Sequence, residues 1–170
     1  MNRPETNEFA PYYNIYISLI EDGEVIPVLD AQPDELRSVF SDVPEEKGTF
    51  AYEAGKWTVK EVLSHLIDGE RMFAYRILRV SRGDETPIEG FEQDGYIENS
   101  NANNRSFAEL IEEFDLQRRS NMLLINNLSD EGSRRIGTAS DKSVSVRALT
   151  YIMAGHVQHH LGILKERYLA

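Results

Sequence analysis

The chain contains four histidines, His65, His156, His159 and His160, and no cysteine. Three of them fall in the run His156–Val157–Gln158–His159–His160. On a helix, residues four apart share one face and stand about 6 Å apart along the axis, so His156 and His160 point the same way. Two imidazoles at that spacing form a ligand pair for a divalent metal ion. His159 is turned about 100° from His160 and belongs at the edge of that face. A third imidazole, from His65, would complete a three-nitrogen site. Such a site leaves the ion with open coordination positions, as catalytic sites do, whereas structural zinc sites close with four protein ligands. It could lower the pKa of a bound thiol to make a nucleophile, or that of a bound water to about 7 for hydrolysis. The competing reading makes each histidine a core residue satisfied by hydrogen bonds. Three unpartnered buried imidazoles would cost several kcal/mol, and one ion would satisfy them together.

The elements that must position these residues read as helices. A short leading helix starts near Ala10–Pro11, runs to about Leu19 and is broken by Asp22–Gly23. A helix from Glu24 to about Ser41 follows, with Val28, Leu29, Leu36, Val39 and Phe40 apolar. Pro33 inside it predicts a kink or break. Thr58 and Glu61 form a capping box, with Trp57 and Val62 as a staple, and open a helix to about Arg82. On it Val62, His65, Leu66, Gly69, Met72, Phe73, Arg76 and Ile77 recur at three- and four-residue spacing, which puts His65 on the core stripe. Asp68 and Glu70 fall away from that stripe. A long loop spans residues 84–105, and loops of that length are often functional. Ser106 and Glu109 start another helix to about Leu128, on which Arg118 and Arg119 read as solvated. After a polar stretch over 129–143, the last helix runs from Ser145 to about Tyr168. Its stripe is Leu149, Ile152, Met153, His156, His160, Ile163 and Leu164. The expected fold is all-α, an up-down four-helix bundle with a short additional N-terminal helix, in one domain over 1–170.

Composition narrows the partners. A net charge of −11 disfavours nucleic acid and anionic membrane surfaces. No apolar run reaches the length of a membrane span, and the N-terminus does not read as a signal peptide, so the cytoplasm is the expected compartment. Tyr12, Tyr13 and Tyr16 on the leading helix could wall a substrate pocket, and Phe91 and Tyr96 in the long loop could cover it. Packing against neighbouring helices is the plainer role for the tyrosines. Arg76 reads as a surface or ion-pair residue.

The segments WTVKEVLSHLIDGE (Trp57–Glu70), FAYRILRVSRGDETPIEGFEQDGY and AGHVQHHLGILKERY resemble the DinB/YfiT-like superfamily, in order and separation, from about Tyr12 to the C-terminus. The resemblance implies a four-helix bundle, often a homodimer. It implies a zinc or nickel ion held by one histidine of the second bundle helix and two, four apart, of the last, which match His65, His156 and His160. Relatives of known activity are mostly thiol-dependent transferases or isomerases using a low-molecular-weight thiol such as bacillithiol or mycothiol. Others are described only as metal-dependent hydrolases. Many relatives read HHRGQ where this chain has HHLGI from His159. The reading that follows is a thiol S-transferase acting on a small-molecule substrate, with a metal hydrolase or a non-catalytic metal- or small-molecule-binding bundle as alternatives.

Overall fold

Helix caps set the frame of this computed structural model, which describes residues 1–170. Thr58 Oγ1 accepts from the Glu61 backbone N–H at 3.2 Å, and the Glu61 carboxylate accepts from the Thr58 N–H at 2.7 Å. That box starts a helix, α3, at Val59–Ser81. Ser106 and Glu109 do the same for α5, Phe107–Asn126, and Ser145 caps α7, Val146–Ile163. The remaining bundle helix is α2, Val25–Phe40. Each cap satisfies backbone donors that a helix start leaves without partners.

The four long helices form the expected bundle. α3 packs on α5 and α7, and α2 packs on α5 and α7. The consecutive helices α2 and α3 therefore stand diagonally across the bundle, as do α5 and α7. The connections over 41–58 and 127–145 are long enough to make those crossings. The leading helix is short: a 3-10 turn at Pro11–Tyr13 continues into α1, Asn14–Ile17, which lies along α7. A Cβ at Gly155 would come within 2.1 Å of the Tyr16 carbonyl oxygen, so only glycine lets the two backbones meet there.

The apolar core is divided in two. One half gathers Ile17, Leu29, Ile77, Val80, Ile125, Leu149 and Ile152. The other gathers Leu36, Phe40, Val62, Leu66, Phe114, Val157 and Leu161. Along the chain, Gln32, Glu70, Arg118 and Asn121 fall between residues of one half and residues of the other, and they bond to one another. Arg118, expected in solvent, is 1% exposed, and so is Glu70, expected off the buried face. The Arg118 Nε and Nη2 donate to the Glu70 carboxylate at 2.9 and 2.6 Å, and Asn121 Nδ2 donates to it at 2.9 Å. Arg118 Nη1 donates to Gln32 Oε1 and to the Leu29 carbonyl, both at 2.7 Å. Gln32 Nε2 donates to the Ala154 carbonyl on α7 at 2.7 Å. All four helices are tied by this one network.

Pro33 neither breaks nor ends α2, and the same network explains why. A proline in a helix leaves the carbonyl four residues back without its N–H donor. That carbonyl belongs to Leu29, and Arg118 supplies the missing bond.

Two segments expected as loops hold short elements. The 84–105 segment contains α4, Gln93–Glu98, and a 3-10 turn at Ala102–Asn104. The 129–143 stretch contains α6, Asp130–Arg134, and an antiparallel hairpin of β1, Ile136–Ala139, with β2, Lys142–Ser145. Its two-residue turn puts Ser140 and Asp141 at φ 51° and 60°, which fits the right-handed twist of a tight hairpin. After Ile163 the last helix widens into a π-helical turn, Leu164–Tyr168. Tyr168 donates its hydroxyl to the Trp57 carbonyl at 2.8 Å, which ties the chain's end to the start of α3. No helix is long and apolar enough to cross a membrane.

Candidate metal centre

His65 comes from the first half of α3, and His156 and His160 come from the second half of α7. The packing of α3 on α7 brings the three rings together, with centroids 4.6 to 4.8 Å apart. One ring nitrogen from each can be chosen so that all lie within 4.8 Å of one another. His65 Nε2 and His156 Nε2 are 2.9 Å apart. Nitrogens bound tetrahedrally at about 2.0–2.1 Å stand roughly 3.3 Å from one another, so small side-chain adjustments would fit an ion.

The surroundings keep the rings neutral. Burial pushes His65 down to about 4 from its ordinary 6.5, against a weak opposing pull from Asp94. Burial and the neighbouring imidazoles push His160 down to about 3 and His156 well below the usual range. Neutral imidazole is the form that donates a lone pair to a metal. His160 Nδ1 is buried and has no hydrogen-bond partner. A buried polar atom left so is uncommon, and a bound ion is one of the ordinary explanations. The residues present therefore fit a divalent metal ion.

Aromatic rings wrap the cluster. Trp57 lies 4.8 Å from His65, Tyr16 5.6 Å from His156, and Phe73 5.5 Å from His156, centroid to centroid. Gly69 on α3 makes room for the His156 ring, since a Cβ there would sit 3.0 Å from Cε1 and 3.2 Å from Nδ1. His159 stands outside the trio, half-buried, with its ring edge-on to Tyr16 at 5.4 Å.

Two hollows reach the cluster. The larger, about 520 Å³, exposes His65 and His156 and is walled by Tyr12, Tyr13, Tyr16 and Phe91. Of the pocket residues expected from sequence, Tyr13, Tyr16 and Phe91 are thus assembled there. Tyr96 is not: it faces a neighbouring groove with Asp68 and Arg71, its ring 5.1 Å from that of Phe91. The second hollow, about 320 Å³, exposes His160 beside Trp57, Asp94 and Tyr168.

Sequence reasoning passed over two residues and misplaced a third. Arg76, expected as a surface or ion-pair residue, is instead buried with no carboxylate partner and lines the larger hollow. Its place seven residues beyond Gly69, on the same face, was the available signal. Glu92 and Asp94 border the hollows from α4 and its approach. No periodicity marks residues in so short an element.

Comparison with known proteins agrees with this architecture. The DinB superfamily model matches residues 29–164. Among solved structures, the chain is similar to YfiT from Bacillus subtilis, described as a probable metal-dependent hydrolase with an unusual four-helix bundle topology. The TM-score is 0.77 at 18% identity, over 84% of this chain and 83% of that one. No curated protein matches by sequence.

Proposed function

The chain belongs to the DinB superfamily, and from that premise we propose that it is a divalent-metal-dependent enzyme with His65, His156 and His160 as ligands. The reading rests on one observation: three neutral, mostly buried imidazoles from two helices converge, two of them at the wall of a cavity. A bound ion would supply a Lewis acid that lowers the pKa of a thiol or a water. Imidazole suits zinc and nickel equally.

We place transfer of a low-molecular-weight thiol first. Glu70, five residues beyond His65 on α3, is committed to Arg118 and Asn121 and cannot take a proton from a water. Asp68 lines a different groove. A thiol needs no general base once its proton is acidified. The aromatic walls exclude water and would orient the electrophile.

Hydrolysis is the second reading. Glu92 and Asp94 stand at the rims, where either could serve as a base. The description of YfiT points the same way. The deciding experiment is the absorption spectrum of the cobalt-substituted protein with bacillithiol or a related thiol added. A sulfur-to-cobalt charge-transfer band supports thiol transfer. Its absence, together with esterase or amidase turnover, supports hydrolysis, and neither signal leaves a binding protein. Metal content near zero after purification without a nickel column, with no uptake on titration, would sink the metal reading. A homodimer belongs to this proposal, and light scattering at micromolar concentration tests it.

A further inference from the structure

Four cationic side chains are buried in this protein, and three of them have a carboxylate partner. Lys60 pairs with Glu45 at 2.8 Å, Arg118 with Glu70 at 2.6 Å, and Arg147 with Glu8. Arg76 is the exception. It is 3% exposed, no carboxylate lies within 4.0 Å of it, and it lines the hollow that holds His65 and His156. Its Nη2 donates to Ser140 Oγ at 3.0 Å and, at the limit of a hydrogen bond, to the Glu89 carbonyl at 3.5 Å. Its Nε is buried with no partner at all.

Burying an unpaired charge is costly, and proteins almost always supply a counter-ion. The surroundings show a guanidinium held in place. The hairpin turn at Ser140–Asp141, fixed in the left-handed region, delivers the Ser140 hydroxyl to Nη2. The Phe91 ring lies 6.0 Å from the guanidinium carbon. A fork so oriented, with donors to spare, fits a bidentate carboxylate.

We propose that Arg76 binds a carboxylate of the substrate, so that the cavity takes a small organic acid. The acid's carboxylate docks on the guanidinium while its reacting end lies against the imidazoles. The second half of this statement rests on the metal reading above, and the first half does not. Gly69, which packs on His156, and Arg76 are seven residues apart on one helix face, or about 10 Å along the axis. The acid must bridge that span. A doubly charged phosphate fits less well, because a single cation faces the cavity and Glu92 contributes to the same wall.

The test uses the full-length protein, metal-loaded and chelator-treated, with hexanoate, hexan-1-ol and hexyl phosphate as probes. Nitrogen–proton NMR of the arginine Nε–Hε groups reads Arg76 directly. Chelator-treated protein should bind hexanoate saturably, with a shift of the Arg76 resonance and at least tenfold tighter than hexan-1-ol. Arg76→Met should remove that preference, and Arg76→Lys should weaken it several-fold. Both variants should bind zinc like the wild type. Equal binding of the acid and the alcohol would overturn the proposal, as would hexanoate binding that survives Arg76→Met. Hexyl phosphate binding ten times tighter than hexanoate would overturn the choice of carboxylate. If the variants fail to fold, the wild-type Arg76 shift alone decides. Failure of zinc to bind any form strikes the metal reading and leaves the hexanoate result standing.

Discussion

Gly69→Ala separates the stability of the bundle from the geometry of the histidine cluster. The new Cβ would sit 3.0 Å from His156 Cε1 and 3.2 Å from Nδ1. Carbon atoms pack comfortably at about 3.5–4.0 Å, so the imidazole must retreat by roughly 0.5 Å. Metal–ligand distances tolerate about 0.2 Å. Zinc affinity should therefore fall by about tenfold to a hundredfold, the scale seen when a ligand's support is disturbed. Stability should fall by no more than about 2 kcal/mol, because alanine gains about 1 kcal/mol of helix propensity over glycine while overpacking costs about 1–3 kcal/mol. Gly162→Ala on α7 is the control. No heavy atom lies within 4 Å of its added Cβ, so it should leave zinc affinity alone and stabilise by up to about 1 kcal/mol. Competition with a chromophoric chelator reads affinity, and denaturant unfolding reads stability. Zinc affinity within twofold of wild type in Gly69→Ala would refute the claim that His156 is a ligand seated on Gly69.

Four further outcomes follow from the same contacts. Alanine at His65, His156 or His160 should each remove most zinc binding, whereas His159→Ala should lose at most about tenfold to a hundredfold; the opposite pattern for His159 and His160, read in the same chelator assay, would mean the helix face is wrongly assigned. Glu70→Ala should cost about 3–5 kcal/mol in denaturant unfolding by stranding Arg118, and the double change Glu70→Leu, Arg118→Met should cost clearly less. Gly155→Ala should cost at least about 2 kcal/mol, because its Cβ would meet the Tyr16 carbonyl at 2.1 Å, and circular dichroism melting reads this. Acid should weaken the metal-free protein in two steps, resolved by unfolding at a series of pH values. His65 and His160 are held neutral at about 4 and 3, so the unfolded chain takes up their protons first. Stability should therefore fall as pH drops below 6.5, by about 2 kcal/mol per histidine at pH 5. Glu8, held at about 2 by Arg147 against an ordinary 4.5, stabilises above 4.5, and that contribution is lost as pH falls toward 2. Glu8→Gln should remove only the second step.

Local rules fix much of this protein before it folds. The capping boxes at Thr58 and Ser106 form as their spacing requires, because a cap involves only four consecutive residues. Helical periodicity puts His65 on a core stripe and His156 and His160 on one face, since 3.6 residues per turn is a property of the backbone alone. The convergence of the three rings follows once those stripes must be buried against each other. Other features depend on which helix meets which. Arg118 stands four residues after Phe114 and seven before Ile125, on the buried face, yet an arginine there reads as solvated unless Glu70 and Gln32 are known to face it. Pro33 reads as a break because its effect is local, while the donor that replaces its N–H comes from α5. Arg76 gains its meaning only when the hairpin turn at Ser140 and Phe91 close over it. The diagonal placement of α2 and α3 is likewise invisible to periodicity, which states that a helix has an apolar face and not which partner will cover it. Spacing along one helix is set by covalent geometry, and partnership between helices is set by the packing of the whole chain.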